Sequence, residues 1–418
     1  MEYKKIIKDN IKYHLIKTDR FKGINITLFL TKEFNKKDIP FLNMLIHNIT
    51  YSSKKYNSKE KIASVSEDLY GLSLTSSFTL TGGCETLSFS LDFLNPKYTE
   101  EKYLDLSLDY FKEIVFNPNI KYNKFNSEYF NIVKNDLISS INAIKDNPNK
   151  YAGINYAKIM YDGTPTAYNT VPTIEDLNSV NEEKLYSFYK SIFNNKCNAD
   201  ICILGEVDES IVDKIHNKVS TIKPLNKKLS FTINHKYKNK VIEQIDALKY
   251  NQSKLYIGYR LHNMNYHELM HVLRVYNTIL GTMNDSILFN IVREENSLCY
   301  SIGSYINRFN PSLTVYAGIN KENYDKTIEL IKKCVELMQD KKSVKRLFES
   351  AKKTINTFLN NYYDDSVMQI NNYYVGEYET VEDIETLRDN INKVTIEEVL
   401  ELNKKISLST IYMLKGDN

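Results

Sequence analysis

The residues Tyr266-His267-Glu268-Leu269-Met270-His271 hold an H-E-x-x-H spacing. On a helix His267 and His271 share a face, so two imidazoles can hold zinc while Glu268 acts as general base on a metal-bound water. Glu294, further along, is available as a third ligand, which makes a self-contained zincin one alternative for this chain. Two features of the pattern oppose it. The apolar stripe Leu269, Leu273, Tyr276 and Leu280 leaves both histidines on the opposite, polar face of the helix. Arg274 lies one turn from His271, and a fixed cation there disfavours a bound dication. A coincidental surface pair is the expectation. Cys84, Cys197, Cys202, Cys299 and Cys334 are odd in number and scattered, which reads as reduced, buried thiols with no disulfide framework and no zinc knuckle.

The elements that must position such residues recur in the chain. Gly23 to Leu30 reads as a strand and is followed by an apolar helical pattern from Pro40, a residue suited to a first helical turn. Lys254 to Arg260 alternates as a strand before the helical stripe from Leu269. Each opening is followed by an alternating strand and an amphipathic helix, a long helix (Ser127 to Lys145, then Ser343 to Leu359), and a closing strand (Ala199 to Leu204, then Thr410 to Leu414). One unit written twice predicts an α+β protein of two similar domains, each an antiparallel or mixed sheet covered by helices. The periodicity breaks at Thr221 to Lys228, around Pro224. The expected division is therefore a domain over 1–222, a linker over 223–236 and a second domain over 237–418.

Composition narrows the function classes. The chain has 418 residues with 55 basic and 52 acidic side chains, a net charge of +3, so it has no nucleic-acid footprint and no predicted preference for acidic or basic substrates. Charges recur every few residues from Met1 to Phe21, and no apolar run is of signal-peptide or bilayer-spanning length, so the expectation is a cytoplasmic protein with no membrane partner. The 32 tyrosines and absent tryptophan read as genomic bias, which makes any single tyrosine weak evidence.

The segment from Ile279 to Ile302 carries Leu280-Gly281, Leu288-Phe289, Arg293-Glu294 and Leu298-Cys299-Tyr300. It resembles the second half of the insulinase/pitrilysin family of zinc peptidases. Asp68-Leu69-Tyr70-Gly71, Asp146-Asn147-Pro148 and Leu204-Gly205-Glu206-Val207-Asp208 extend the likeness through the first half. In active members an H-x-x-E-H helix supplies two histidine ligands and a general base. Counting back from Ser58-Lys59-Glu60-Lys61-Ile62, the resemblance puts Met44, His47 and Asn48 in those places, and Ser139 or Ser140 in the place of the third ligand. A thioether, an amide and a hydroxyl do not replace two imidazoles and a carboxylate around zinc. The resemblance also puts on Arg293 and Tyr300 the family's substrate-holding role: a guanidinium fork and a phenol O–H directed at a peptide carbonyl that becomes an oxyanion.

The likeness is nearest to the non-zinc bacterial subunits that pair with a zinc-bearing homologue. It implies no cofactor in this chain, zinc in the partner, a clam-shaped heterodimer acting on peptides, and Arg293 and Tyr300 as this chain's catalytic contribution. A purely structural or peptide-binding subunit without proteolysis is the alternative from another class.

Overall fold

The computed structural model describes residues 1–237 and 240–416. These form two compact units, each assembled from separated stretches: the first from Met1–Ala143, Asn169–Phe231 and Tyr363–Val381, the second from Ile144–Tyr168, Thr232–Tyr362 and Glu382–Asn418.

The first unit is built on a six-stranded mixed sheet of β1 (Glu2–Lys8), β2 (Ile11–Lys17), β3 (Gly23–Glu33), β4 (Ser73–Thr81), β5 (Cys84–Leu94) and β6 (Asn198–Gly205). Their order is β1-β2-β6-β3-β5-β4, with β2 and β6 parallel and the other neighbours antiparallel. The central strands β3 and β6 are buried almost throughout because both of their faces are covered, with polar Asn25, Thr27, Thr31, Asn198 and Asp200 among their apolar residues. The edge strands are polar instead: β4 alternates serine and threonine, and β1 carries lysines that blunt its open edge. Helices Ile39–Tyr51 and Tyr103–Phe116 cover one face around Leu28, Leu45, Phe89 and Phe111.

The second unit repeats this plan. Its strands are β7 (Ile242–Leu248), β8 (Ser253–Leu261), β9 (Cys299–Asn307), β10 (Ser312–Ile319) and β11 (Ile406–Gly416), in the order β9-β10-β8-β11-β7. Here β7 and β11 are the parallel pair and the rest are antiparallel. Strand for strand, β2, β3, β4, β5 and β6 correspond to β7, β8, β9, β10 and β11. The duplication read from the sequence pattern is thus a duplication of topology, with β1 an extra edge on the first sheet.

Each unit also takes a helix from the other half of the chain. Helix Pro148–Met160 lies on the second unit's sheet, where Tyr156 bonds Thr314 of β10 at 2.7 Å. A Cβ on Gly258 of β8 would stand 2.5 Å from Sδ of Met160 and closer still to Oη of Tyr156, so only glycine permits this approach. In the first unit helix Ser366–Val375 does the same work: Tyr374 bonds Thr31 of β3 at 2.6 Å and Thr86 of β5 at 2.8 Å, and its ring stacks on Phe29. The long helix expected over Ser127 to Lys145 ends at Asn142, where Ala143–Asp146 tightens into a 3₁₀ turn ahead of Pro148.

Candidate functional site

The helix Ile39–Tyr51, where the resemblance places a zinc motif, does not present a ligand set. Met44 is fully buried in the first unit's core, and Asn48, also buried, turns its side-chain amide back onto the carbonyl of Met44 at 2.8 Å. His47 faces outward; the protein around its ring pulls its imidazole below the ordinary value, with Asp136 pulling the other way. Ser139 and Ser140 are exposed on helix Ser127–Asn142. Zinc does not fit these residues: the two positions that should offer imidazoles are committed to core packing, and neither a thioether nor an amide serves as a substitute.

In the second unit, Arg293 and Tyr300 are both displayed. Arg293 lies in the last turn of the helix Phe289–Glu295, its side chain 45% exposed, with the guanidinium over the Phe289 ring and 3.8 Å from Glu294. This helix closes π-type, then Ser297 in the left-handed region and the bond from Leu298 N–H to the Val292 carbonyl turn the chain into β9. Tyr300 sits in the irregularity of the β9–β10 ladder, which passes from the Cys299–Ile319 pair directly to Ser301–Gly318. A bulge of this kind re-aims the unpaired residue, and Tyr300 is 66% exposed. Burial pushes the neighbouring Cys299 thiol up to about 11 while the charge of Arg293 acts against it, so the guanidinium is near the start of β9. Gly281 supports this corner: a Cβ there would meet Ser304 Oγ of β9 at 2.5 Å and Leu288 at 2.8 Å.

From Ser301 onward the same strand borders a cavity of about 350 Å³, whose wall includes Asn149, Lys254, Tyr256, Ser301, Tyr305 and Tyr316. The three tyrosines stand on β8, β9 and β10, and Tyr256 stacks on the buried Tyr156. Burial draws the Lys254 ammonium below its ordinary value. Phenol faces, one amine and no carboxylate in the lining suit an apolar or carboxylate-bearing segment of a peptide. Sequence reasoning did not single out these side chains, because alternate tyrosines on strands carry little signal in a tyrosine-rich chain.

The H-E-x-x-H residues depart from their expected setting. His271 is buried, because helices Ile384–Lys393 and Ile396–Asn403 cover the side of its helix that the stripe left polar. Burial, then the neighbouring Arg308, draws Arg274 down to about 10, while Glu382 holds it up. Glu268 directs its two oxygens to Lys405 at 2.6 and 2.8 Å, and accepts the Asn265 N–H at 2.9 Å. Glu294 belongs to the Arg293 helix. The base and third ligand of a zincin are therefore turned to other work.

In the first unit, His14, Asp200 and Glu377 gather within 4.8 Å. Their atoms are already served: Tyr3 and Asp200 bond the two ring nitrogens of His14, Tyr378 donates to Asp200, and Lys5 and Lys12 pair with Glu377. This is a saturated buried polar network. No helix among the described residues is long and apolar enough to cross a membrane.

Residues 179–355 match the Peptidase M16 inactive domain. The chain is 28% identical over 408 residues to the "Probable inactive metalloprotease YmfF" of Bacillus subtilis strain 168, an alignment that covers 96% of this chain and 95% of that protein. Its fold is similar to that of a conserved protein from Enterococcus faecalis V583, with TM-score 0.89, 24% identity, and 100% and 99% of the two chains covered. A peptidase M16 inactive domain from Pseudomonas fluorescens gives TM-score 0.81 at 17% identity, with 100% and 99% covered.

Proposed function

We propose that this chain, which is similar to the probable inactive metalloprotease YmfF and whose residues 179–355 match the Peptidase M16 inactive domain, is the non-zinc subunit of a two-chain peptidase. A zinc-bearing homologue supplies the metal and the general base. This chain supplies Arg293 and Tyr300, which hold the peptide backbone and stabilise the oxyanion as it forms, with the tyrosine-lined cavity receiving an adjoining part of the peptide. The pair acts in the cytoplasm on peptides or unfolded segments.

The observation that carries this reading is the contrast within one chain. Helix Ile39–Tyr51 has lost the chemistry of a metal site to core packing, while Arg293 and Tyr300 remain exposed, and Tyr300 has no side-chain hydrogen bond among the described residues. An exposed guanidinium and phenol at a helix end and a strand bulge stabilise little by themselves; their value lies in contacts to something else.

The test is co-purification with a zinc-bearing M16 homologue of the same organism, followed by assay on fluorogenic peptides. Arg293→Ala or Tyr300→Phe lowers kcat/KM by on the order of 10²-fold, the usual loss for one oxyanion donor, while the complex still forms. Full turnover in both variants would refute the shared site. A stable pair that cleaves nothing, with peptides still bound, would instead support a binding or scaffold subunit.

A further inference from the structure

Independently of that reading, His267 and His271 are held in an arrangement that fits a metal ion better than it fits two neutral side chains. Their Nδ1 atoms face each other at 2.9 Å across one helical turn. Nε2 of His267 donates to Glu398 at 2.9 Å, and Nε2 of His271 donates to Glu382 at 2.8 Å. Both carboxylates are themselves anchored. The second oxygen of Glu398 takes the N–H and hydroxyl of Thr395, and that of Glu382 takes the Asn390 amide.

Three contacts need three hydrogens, and two neutral imidazoles bring only two. With both Nε2–H groups engaged, two Nδ1 lone pairs confront each other, so the pair takes up either one proton, as an imidazolium bonded to its neighbour, or a metal ion beside the N···N line. Imidazoles that bind metals characteristically donate their other N–H to a carboxylate, as both do here. The spacing agrees as well: at a metal–nitrogen distance of about 2.0–2.1 Å, ligands at a right angle lie roughly 2.9 Å apart and tetrahedral ligands roughly 3.3 Å.

We infer that His267 Nδ1 and His271 Nδ1 chelate one late first-row divalent cation, of the Ni²⁺ or Zn²⁺ class, with Glu398 and Glu382 orienting the rings. The half-exposed side of His267 lets water complete the coordination shell. Glu382 and Glu398 offset the ion's charge, while Arg274 and Arg308 beside Glu382, and Lys405 on Glu268, weaken its hold. With Glu268 bound to Lys405 there is no base at the ion, so the site is structural: it ties helix 266–282 to helix Ile396–Asn403 through Glu398 and to Glu382, just ahead of helix Ile384–Lys393.

The experiment uses the tag-free, full-length chain, stripped with EDTA and titrated calorimetrically with NiCl₂ and, separately, ZnCl₂. Saturation at one ion per chain is expected, with at least tenfold weaker binding in His267→Gln and an intermediate loss in Glu398→Gln. Ring ¹⁵N spectra of the wild-type chain provide a variant-independent readout: Ni²⁺ broadens His267 and His271 first among its seven histidines. Absence of saturable binding, unchanged affinity in His267→Gln, or broadening at other histidines alone would overturn the assignment. Since peptide turnover plays no part in the readout, its outcome is separate from that of the shared-peptidase reading.

Discussion

Replacing Gly258 by alanine is the sharpest probe of how the second unit is held together. The new Cβ would stand 2.5 Å from Met160 Sδ and nearer still to Tyr156 Oη, both on helix Pro148–Met160 and both fully buried or nearly so. Overpacking of this kind costs about 1–3 kcal/mol. If the helix retreats, the bond from Tyr156 to Thr314 is lost, and a buried hydroxyl left unsatisfied adds about 1–3 kcal/mol. The total is roughly 2–6 kcal/mol, concentrated on β8, β10 and that helix. Hydrogen exchange of the β8 and β10 amides, read by mass spectrometry, measures this unit without averaging over the other. Tyr156→Phe removes the nearer clashing atom, so the double variant should be less destabilised than the sum of the singles by about 1 kcal/mol. A Gly258→Ala effect under about 0.5 kcal/mol, or strict additivity in the double variant, would refute the close packing.

Two further outcomes follow from buried groups in the first unit. Burial pushes the Glu85 carboxyl from 4.5 up to about 7, against the pull of Lys32 at 2.7 Å. A carboxyl with a raised folded-state pKa favours folding most below its unfolded value near 4.5, and that contribution is lost as pH climbs through about 7. Glu85→Gln should therefore flatten the fall in stability over this window, as seen in urea unfolding at a series of pH values; an unchanged pH profile would contradict it. Met44→His should lower stability by roughly 2–4 kcal/mol, because it buries a polar ring without a partner in the core, and should confer no zinc binding. Tight zinc in that variant, with stability retained, would show that the position faces a cleft.

Much of the architecture is written in local chemistry. Alternating or continuous apolar runs mark the strands, whose observed limits, such as Gly23–Glu33 and Asn198–Gly205, extend the expected ones by a few residues. The donor chemistry of Met44, His47 and Asn48 belongs to the side chains themselves, so their unfitness for zinc was legible before any fold was known. The Leu-Phe, Arg-Glu and Leu-x-Tyr spacings drew attention to Arg293 and Tyr300 in the same way, but nothing in the sequence revealed that Tyr300 occupies a bulge.

Tertiary structure decided what covers each surface. A helical stripe states which side is apolar, and cannot state whether the other side meets water or a second helix. His271 is therefore buried although its pattern reads as exposed, and its partner Glu382 lies 111 residues away. The parallel pairings of β2 with β6 and of β7 with β11, and the placement of helices Pro148–Met160 and Ser366–Val375, likewise join residues far apart in the chain. Such contacts are set by the shape and hydrogen-bonding capacity of the assembled surfaces, a property that no window of sequence contains.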